Sequence, residues 1–229
     1  MAALTPRLSI IIPAIDEAER LATVLPSLAR LREKGHEVIV VDGGSGDDTR
    51  ARAGALADRV LIAERGRARQ MNAGAAHARG EVLVFLHADS LLPRDTESAI
   101  ARAMVSSCWG RFDVRLWGRE RSFRIIEVFM NLRSRITGIA TGDQAIFVSR
   151  EAFHAIGGYP DIPLMEDIAI SRRLKAIARP ACLRQKVVTS ARRWRTHGIL
   201  RTVVLMWRLR LAYALGADPR RLARRYERG

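Results

Sequence analysis

Val38-Ile39-Val40-Val41-Asp42-Gly43-Gly44-Ser45-Gly46-Asp47-Asp48-Thr49 reads as a strand that stops on a carboxylate, turns through glycines and opens a helix. Its unbroken apolar, mostly β-branched start fits a strand covered on both faces, the habit of parallel sheets. The same unit recurs on either side. Leu8–Ile12, Val60–Ile62 and Val82–Leu86 read as further strands buried on both faces, with helices over Glu17–Lys34, Asp47–Ala57 and Arg67–Ala78. Gly80 is expected to close the last of these helices. This alternation predicts an α/β fold with a parallel sheet and right-handed crossovers.

Beyond Asp89 the pattern changes. Pro93–Ser106 reads as helical, and Trp109–Trp117 alternates as an antiparallel or edge strand does. Gly118–Gly142 is arginine-rich and amphipathic. Gln144–Val148 reads as a short strand, Arg150–Ile156 as a helical turn and Glu166–Ala178 as a helix. No linker, repeat or low-complexity tract divides the chain, so a single domain over 1–229 is expected. In the last segment Leu200, Val203, Val204, Trp207, Leu211 and Ala214 share one helical face. That face either packs on the domain or lies on an anionic membrane. Arg220, Arg221, Arg224, Arg225 and Arg228 after it read as a solvated charge run.

The chain has 229 residues, 39 basic against 24 acidic, for a net charge of +15. Such an excess favours anionic partners: phosphates, an acidic membrane surface or nucleic acid. Aromatics are 6% of residues and scattered, which argues against a single-strand nucleic-acid surface. Cys108 and Cys182 have neither zinc nor redox spacing. Met1–Arg7 lacks a signal-peptide core, and Leu8–Pro13 is too short to span a bilayer. The expectation is a cytoplasmic protein, free or peripheral at the inner face of a membrane.

Four acidic signatures punctuate the strand ends and the later helix: Asp16-Glu17, Asp42, Asp89 and Glu166-Asp167. Asp42 can accept hydrogen bonds from a ribose or a base, or simply form a strand-to-helix turn. The first strand runs into Pro13-Ala14-Ile15-Asp16-Glu17 without the glycines of a dinucleotide fingerprint, and no Walker loop occurs. A nucleotide is therefore expected to be held by carboxylates at its base and ribose. Asp89, in His87-Ala88-Asp89-Ser90, can coordinate a hard divalent ion that also binds phosphates, or cap a helix. Arginines in Arg65-Gly66-Arg67-Ala68-Arg69 at a helix start suit a phosphate. Glu166 and Asp167 open a helix: one can hold backbone while the other, aimed at an acceptor hydroxyl, serves as general base. Favourable placement at the helix dipole is the alternative.

Taken in order, Ser9–Pro13 with Asp16-Glu17, Val40–Ser45 with Asp48-Thr49, Asn72-Ala73-Gly74, His87-Ala88-Asp89, Gly158-Tyr159 and Glu166-Asp167 resemble a family-2 glycosyltransferase of GT-A fold over residues 8–175. Gly110–Val114 and Gly142-Asp143-Gln144 resemble the small bacterial branch associated with radical-SAM or selenium-domain proteins. The resemblance implies a Rossmann-like mixed sheet flanked by helices and ending in an amphipathic helix. It also implies a nucleotide-binding half near 8–92, an acceptor half near 93–190 and a basic helical segment near 196–229.

Its implied reaction is inverting transfer of one sugar from a UDP- or GDP-sugar to an unknown acceptor, lipid-linked acceptors included. Pro13, Glu17, Asp42, Gly44, Arg67, Asn72, His87 and Asp89 would bind the donor. Asp89, with His197 as a second candidate ligand, would hold Mg²⁺ or Mn²⁺. Gly142, Asp143 and Glu166 would line the acceptor side, and Asp167 would be the base. His87 stands where the family's first metal-motif aspartate is usual, and Ile15-Asp16 replaces Tyr-Asn. The Gln-x-x-Arg-Trp of processive synthases is missing, which favours single transfer. The rival readings are a nucleotide-sugar-binding protein with weakened catalysis, a basic membrane or nucleic-acid surface module, and a nucleotidyltransferase, which usually carries the glycine loop that this chain lacks.

Overall fold

β1 (Leu8–Ala14) is the hub of the sheet in a computed structural model that describes residues 6–228. The leader reading of Met1–Thr5 lies outside the described residues. β1 pairs in parallel with β2 (Glu37–Asp42) on one side and with β4 (Val82–Phe85) on the other, and β3 (Arg59–Ile62) extends the sheet beyond β2. The crossovers are α1 (Ala18–Ser27) with α2 (Ala29–Glu33), then α3 (Thr49–Leu56), then α4 (Arg67–His77). The chain leaves β1 for β2 and returns past it to β4. That reversal opens a crevice at the carboxyl ends of β1 and β4, the usual ligand position in such sheets.

The remaining elements are β5 (Ser90–Leu91), α5 (Thr96–Met104), β6 (Trp109–Leu116), α6 (Arg121–Thr137), β7 (Phe147–Ser149), α7 (Arg150–Ala155), α8 (Glu166–Ile177), β8 (Ala181–Thr189), α9 (Arg192–His197), α10 (Ile199–Ala214) and α11 (Pro219–Arg228). They complete one mixed sheet of order β3-β2-β1-β4-β7-β6-β8-β5. β7 runs antiparallel to both β4 and β6, β6 pairs in parallel with β8, and β5 closes the far edge against β8. Strand alternation sends Ile10, Ile12, Val38 and Val40 to the face covered by α1 and α5. It sends Ile11, Ile39 and Val41 to the face covered by α4 and α8. Helices on both faces explain the continuous apolar runs.

Three expectations need correction, and one strand was not foreseen. β3 is the sheet edge and its Ile62 is exposed, so it is not covered on both faces. β6 is an interior strand, antiparallel to β7 and parallel to β8, so the edge alternative fails while the antiparallel one holds for one neighbour. Of its alternating polar residues Arg115 is exposed, whereas Arg111 and Asp113 meet α6: Arg111 pairs with Asp113, Arg135 reaches Asp113 at 2.7 Å, and Asn131 bridges Val114 N and O at 2.8 and 3.1 Å. β8 goes unread in the sequence because Arg184-Gln185-Lys186 interrupts it at the register shift opposite Phe112/Asp113. The arginine tail forms α11, with Arg220, Arg221, Arg224 and Arg225 exposed. Helix α4 ends at His77, before Gly80, where a Cβ would meet Arg7 O at 2.7 Å; Gly80 permits the approach to β1 rather than capping the helix.

α10 packs through Leu205, Met206, Leu209 and Tyr213 onto Leu164, Met165, Ile168 and Leu222. The face marked by Leu200, Val204, Trp207 and Leu211 points outward. No helix among the described residues is long and apolar enough to cross a membrane.

Candidate functional site

The loop after β1 is built jointly with the loop after β2. α1 has no cap of its own, and its first N–H groups are taken in trans: Asp16 N donates to Ser45 Oγ at 3.0 Å, Glu17 N to Thr49 Oγ1 at 2.8 Å, and Ala18 N to Asp47 Oδ2 at 3.2 Å. In return Asp16 Oδ1 accepts from Gly46 N at 2.8 Å. Gln70 of α4 ties the two strand ends together, donating to Ala14 O at 2.9 Å and Val41 O at 2.8 Å. Pro13 and Glu17 are half-buried here, with Glu17 paired to Arg20.

Asp42 is fully buried and already satisfied by its own turn. It accepts from Gly44 N at 3.1 Å, Ser45 N at 3.2 Å and Ser45 Oγ, while Gly44 holds φ at +91°. Asp42 therefore shapes the strand-to-helix turn. Asn72 is likewise committed elsewhere: its amide accepts from Tyr159 N at 2.9 Å and donates to Tyr159 O at 2.8 Å. This clasp fixes the Gly158-Tyr159 turn against α4.

The chemistry-bearing side chains converge on one cleft. Its inner part is lined by Arg67, Met71, Phe85, His87, Gly142, Tyr159, Glu166 and Asp167. Its outer part shares Arg67, Glu166 and Asp167 and adds Thr141, Met165, Met206, Arg210 and Tyr226. Glu166 is 3% exposed and accepts from Arg67 Nη1 at 3.0 Å. Burial pushes the Glu166 carboxyl up, Arg67 opposes that, and neighbouring Asp167 adds to it. Asp167 accepts from Gly142 N at 3.0 Å, which links α8 to the turn Gly142–Gln144. A Cβ on Gly142 would sit 2.4 Å from His87 Nε2, so the turn lies directly on that imidazole.

Burial, with Arg67 acting in the same sense, lowers the His87 pKa to about 3, leaving a neutral ring. Asp89, two residues on, is raised by burial and restrained by a 3.4 Å bond from Ser90 Oγ. Asp143 Oδ1 is buried without a hydrogen-bond partner, as are the Nε atoms of Arg133 and Arg210. Burial and then repulsion from Arg210 lower the Arg133 pKa to about 10. Cationic α6 and α10 side chains thus crowd the Asp143–Asp167 end of the cleft.

Of the three non-glycine residues with positive φ among the described residues, Ala145 at 45° and Met165 at 70° flank the cleft, and Asp16 at 52° lies in the loop after β1. Each costs of the order of 1–3 kcal/mol, and such strain gathers at functional sites. Met165 turns the chain so that Glu166 and Asp167 open α8 inside the cleft.

Among the described residues no group of three His, Cys, Asp or Glu side chains could by itself hold a metal. His197 is exposed at the end of α9 and joins no such group. The Asp89 carboxylate fits a hard divalent ion, which takes one or two protein carboxylates and completes its shell with substrate phosphates and water. Tyr159, Thr141, Arg133, Arg210 and Tyr226 belong to the cleft or its rim but were not among the expected site residues. Only the Gly-Gly-Tyr-Pro turn signalled any of them in the sequence.

The model of the family described as Glycosyl transferase family 2 matches residues 9–152. An uncharacterized glycosyltransferase of Mycobacterium tuberculosis is 29% identical over 192 residues, covering 78% of this chain and 72% of the relative. A glucosyl-3-phosphoglycerate synthase of Mycolicibacterium paratuberculosis is 32% identical over 96 residues, 38% of this chain and 29% of that one. Among solved structures, S. aureus TarS 1–349 superposes with a TM-score of 0.65 at 19% identity, over 81% of this chain and 60% of that one. The mannosyltransferase PcManGT from Pyrobaculum calidifontis, in complex with GDP-Man and Mn²⁺, gives 0.61 at 22% identity, over 98% of this chain and 70% of that one.

Proposed function

The chain belongs to glycosyl transferase family 2 and is a glycosyltransferase of GT-A architecture, and on that premise we propose that it moves one sugar, with inversion, from a UDP- or GDP-sugar to an anionic acceptor, with Asp167 as general base. The observation that carries this reading is the convergence of Arg67, His87, Gly142, Glu166 and Asp167 on one cleft. Neighbours of the same fold were solved with UDP-GlcNAc and with GDP-Man and Mn²⁺, which supports a nucleotide-sugar donor and a divalent ion. The missing Gln-x-x-Arg-Trp of processive synthases supports transfer of a single sugar over a growing polymer.

In this mechanism Arg67 offers its guanidinium to the donor diphosphate while holding the buried Glu166 carboxylate in place. Asp89, and with Mn²⁺ also the neutral imidazole of His87, would hold the divalent ion, which would supply charge neutralisation for the departing nucleoside diphosphate. The Gly142 N–H fixes one oxygen of Asp167, so the carboxylate is aimed before the acceptor arrives. Asp167 then takes the acceptor hydroxyl proton as that oxygen attacks the anomeric carbon from the face opposite the leaving group. Arg133 and Arg210 beside it favour an acceptor that carries a phosphate or carboxylate.

Asp167→Asn tests the assignment. Donor affinity is expected to stay within about twofold while transfer falls by about 10²–10⁴, the usual share of a general base. Full transfer by this variant removes Asp167 from the role.

A further inference from the structure

Two neighbouring helices expose apolar stripes for which the fold has no partner. On α6, Ile125, Val128, Phe129, Leu132 and Ile136 are 50–75% exposed at i, i+3, i+4, i+7 and i+11 spacing. On α10 and its cap, Leu200, Val204, Trp207, Leu211 and Leu215 are 47–81% exposed at i, i+4, i+7, i+11 and i+15. The helices are adjacent: Phe123, Ile126 and Met130 of α6 share a buried cluster with Ile199 of α10. Trp117, just before α6, is 58% exposed as well. Runs of this kind on a soluble surface mark an interaction site.

Charge decides the occupant. Residues 192–215 carry Arg192, Arg193, Arg195, Arg201, Arg208 and Arg210 and no acidic residue. Around α6, Arg115, Arg119, Arg121, Arg124 and Arg135 outnumber the carboxylates: Glu120 lies beside them, Asp113 takes Arg135 at 2.7 Å, and Glu127 is buried against Leu116 N at 2.7 Å. A two-fold dimer through this face would set the same arginines against each other without counter-charge. Apolar stripes rimmed by arginine match the interface of an anionic bilayer: the stripe enters the acyl boundary and the guanidiniums meet lipid phosphates.

We propose that α6 and α10 together form a face that docks the protein on an anionic membrane. Docking would set the outer part of the cleft, to which α10 contributes Met206 and Arg210, close to the lipid surface. The proposal goes beyond donor chemistry and stands whether or not Asp167 is the base.

The test is flotation of the full chain with phosphatidylcholine vesicles, with and without phosphatidylglycerol, at low and high salt. The expected result is partition onto the phosphatidylglycerol vesicles, weakened by salt, and a loss of roughly tenfold or more in Phe129→Glu/Trp207→Glu. Both side chains are exposed, so the melting temperature and the melting shift produced by nucleotide sugars should not change. Retained partition by the double variant would mean adsorption through arginines alone and would overturn the docking face. No partition by the unaltered chain would overturn it too. So would a concentration-dependent dimer, seen by sedimentation, that the double variant abolishes. Loss of the nucleotide-sugar shift in the unaltered chain would instead strike at the donor reading.

Discussion

Gly54 and Gly74 lie inside α3 and α4, and replacing each with alanine separates two opposed effects. Neither has a positive φ, so alanine meets no backbone strain at either position. A Cβ on Gly54 has nothing within 4 Å, and only the helix propensity changes. Gly54→Ala should stabilise by about 0.5–1 kcal/mol. At about 2–4 °C per kcal/mol for a chain of this size, Tm should rise by about 1–4 °C. A Cβ on Gly74 would lie 2.4 Å from Ile11 Cγ2 and 3.1 Å from Val41 Cγ2. Ile11 is fully buried in β1, and rotating its χ1 only brings another carbon into the gap. α4 must therefore lift from the sheet by roughly 1 Å, an overpacking cost of about 1–3 kcal/mol. Subtracting the same propensity gain leaves a net loss of about 0.5–2 kcal/mol, or a Tm fall of about 1–8 °C. Because α4 also carries Arg67, Gln70 and Asn72, Gly74→Ala should lose transfer activity while Gly54→Ala keeps it. Calorimetric melts of the two variants decide the matter. A Gly74→Ala protein that melts at or above the unaltered chain would refute the close packing of α4 on β1.

Further outcomes are expected at three other positions. His36 accepts Leu8 N–H on Nδ1 at 3.1 Å, and burial, against the pull of Glu97, holds its pKa below the ordinary value. The unfolded chain therefore takes this proton first, and stability should fall as pH drops below about 6.5. Urea midpoints of His36→Gln should lose that part of the pH slope; an unchanged slope would place the titration elsewhere. Thr49→Val keeps the shape but leaves Glu17 N without its acceptor, at a cost of about 1–3 kcal/mol in urea unfolding. No loss would mean that water replaces the bond. Arg67→Met strands the buried Glu166 carboxylate. With Arg67 itself 47% exposed, the cost is discounted to about 1–2 kcal/mol. Adding Glu166→Gln should recover part of it, and an equal loss in the double variant would show that the pair is not coupled.

The first half of the fold was legible because helices cover both faces of its inner strands, which leaves runs such as Val38–Val41 without polar interruption. β6 and β8 were harder, since their polar residues are answered by α6 or half-exposed, a pairing no local pattern carries. In the site, residue types at strand ends were readable but their commitments were not. Asp42 is satisfied by Gly44 and Ser45, and Asn72 by Tyr159 some 87 positions away. The strained turns at Ala145 and Met165 leave no compositional trace, since alanine and methionine are not turn formers. The outward stripe of α10 was visible as a face. Only the packing of the opposite face, through Leu209, showed which side stays free.

The central claim is donor recognition. Its most direct measurement is the melting temperature of the chain against a panel of UDP- and GDP-sugars, with and without Mn²⁺. Binding to the native state alone raises Tm, by about 2.7 kcal/mol of stability at a hundredfold excess over Kd. The account predicts a Mn²⁺-dependent rise with one nucleotide sugar that is lost in Asp89→Ala. No rise with any of them in the presence of Mn²⁺ would contradict it.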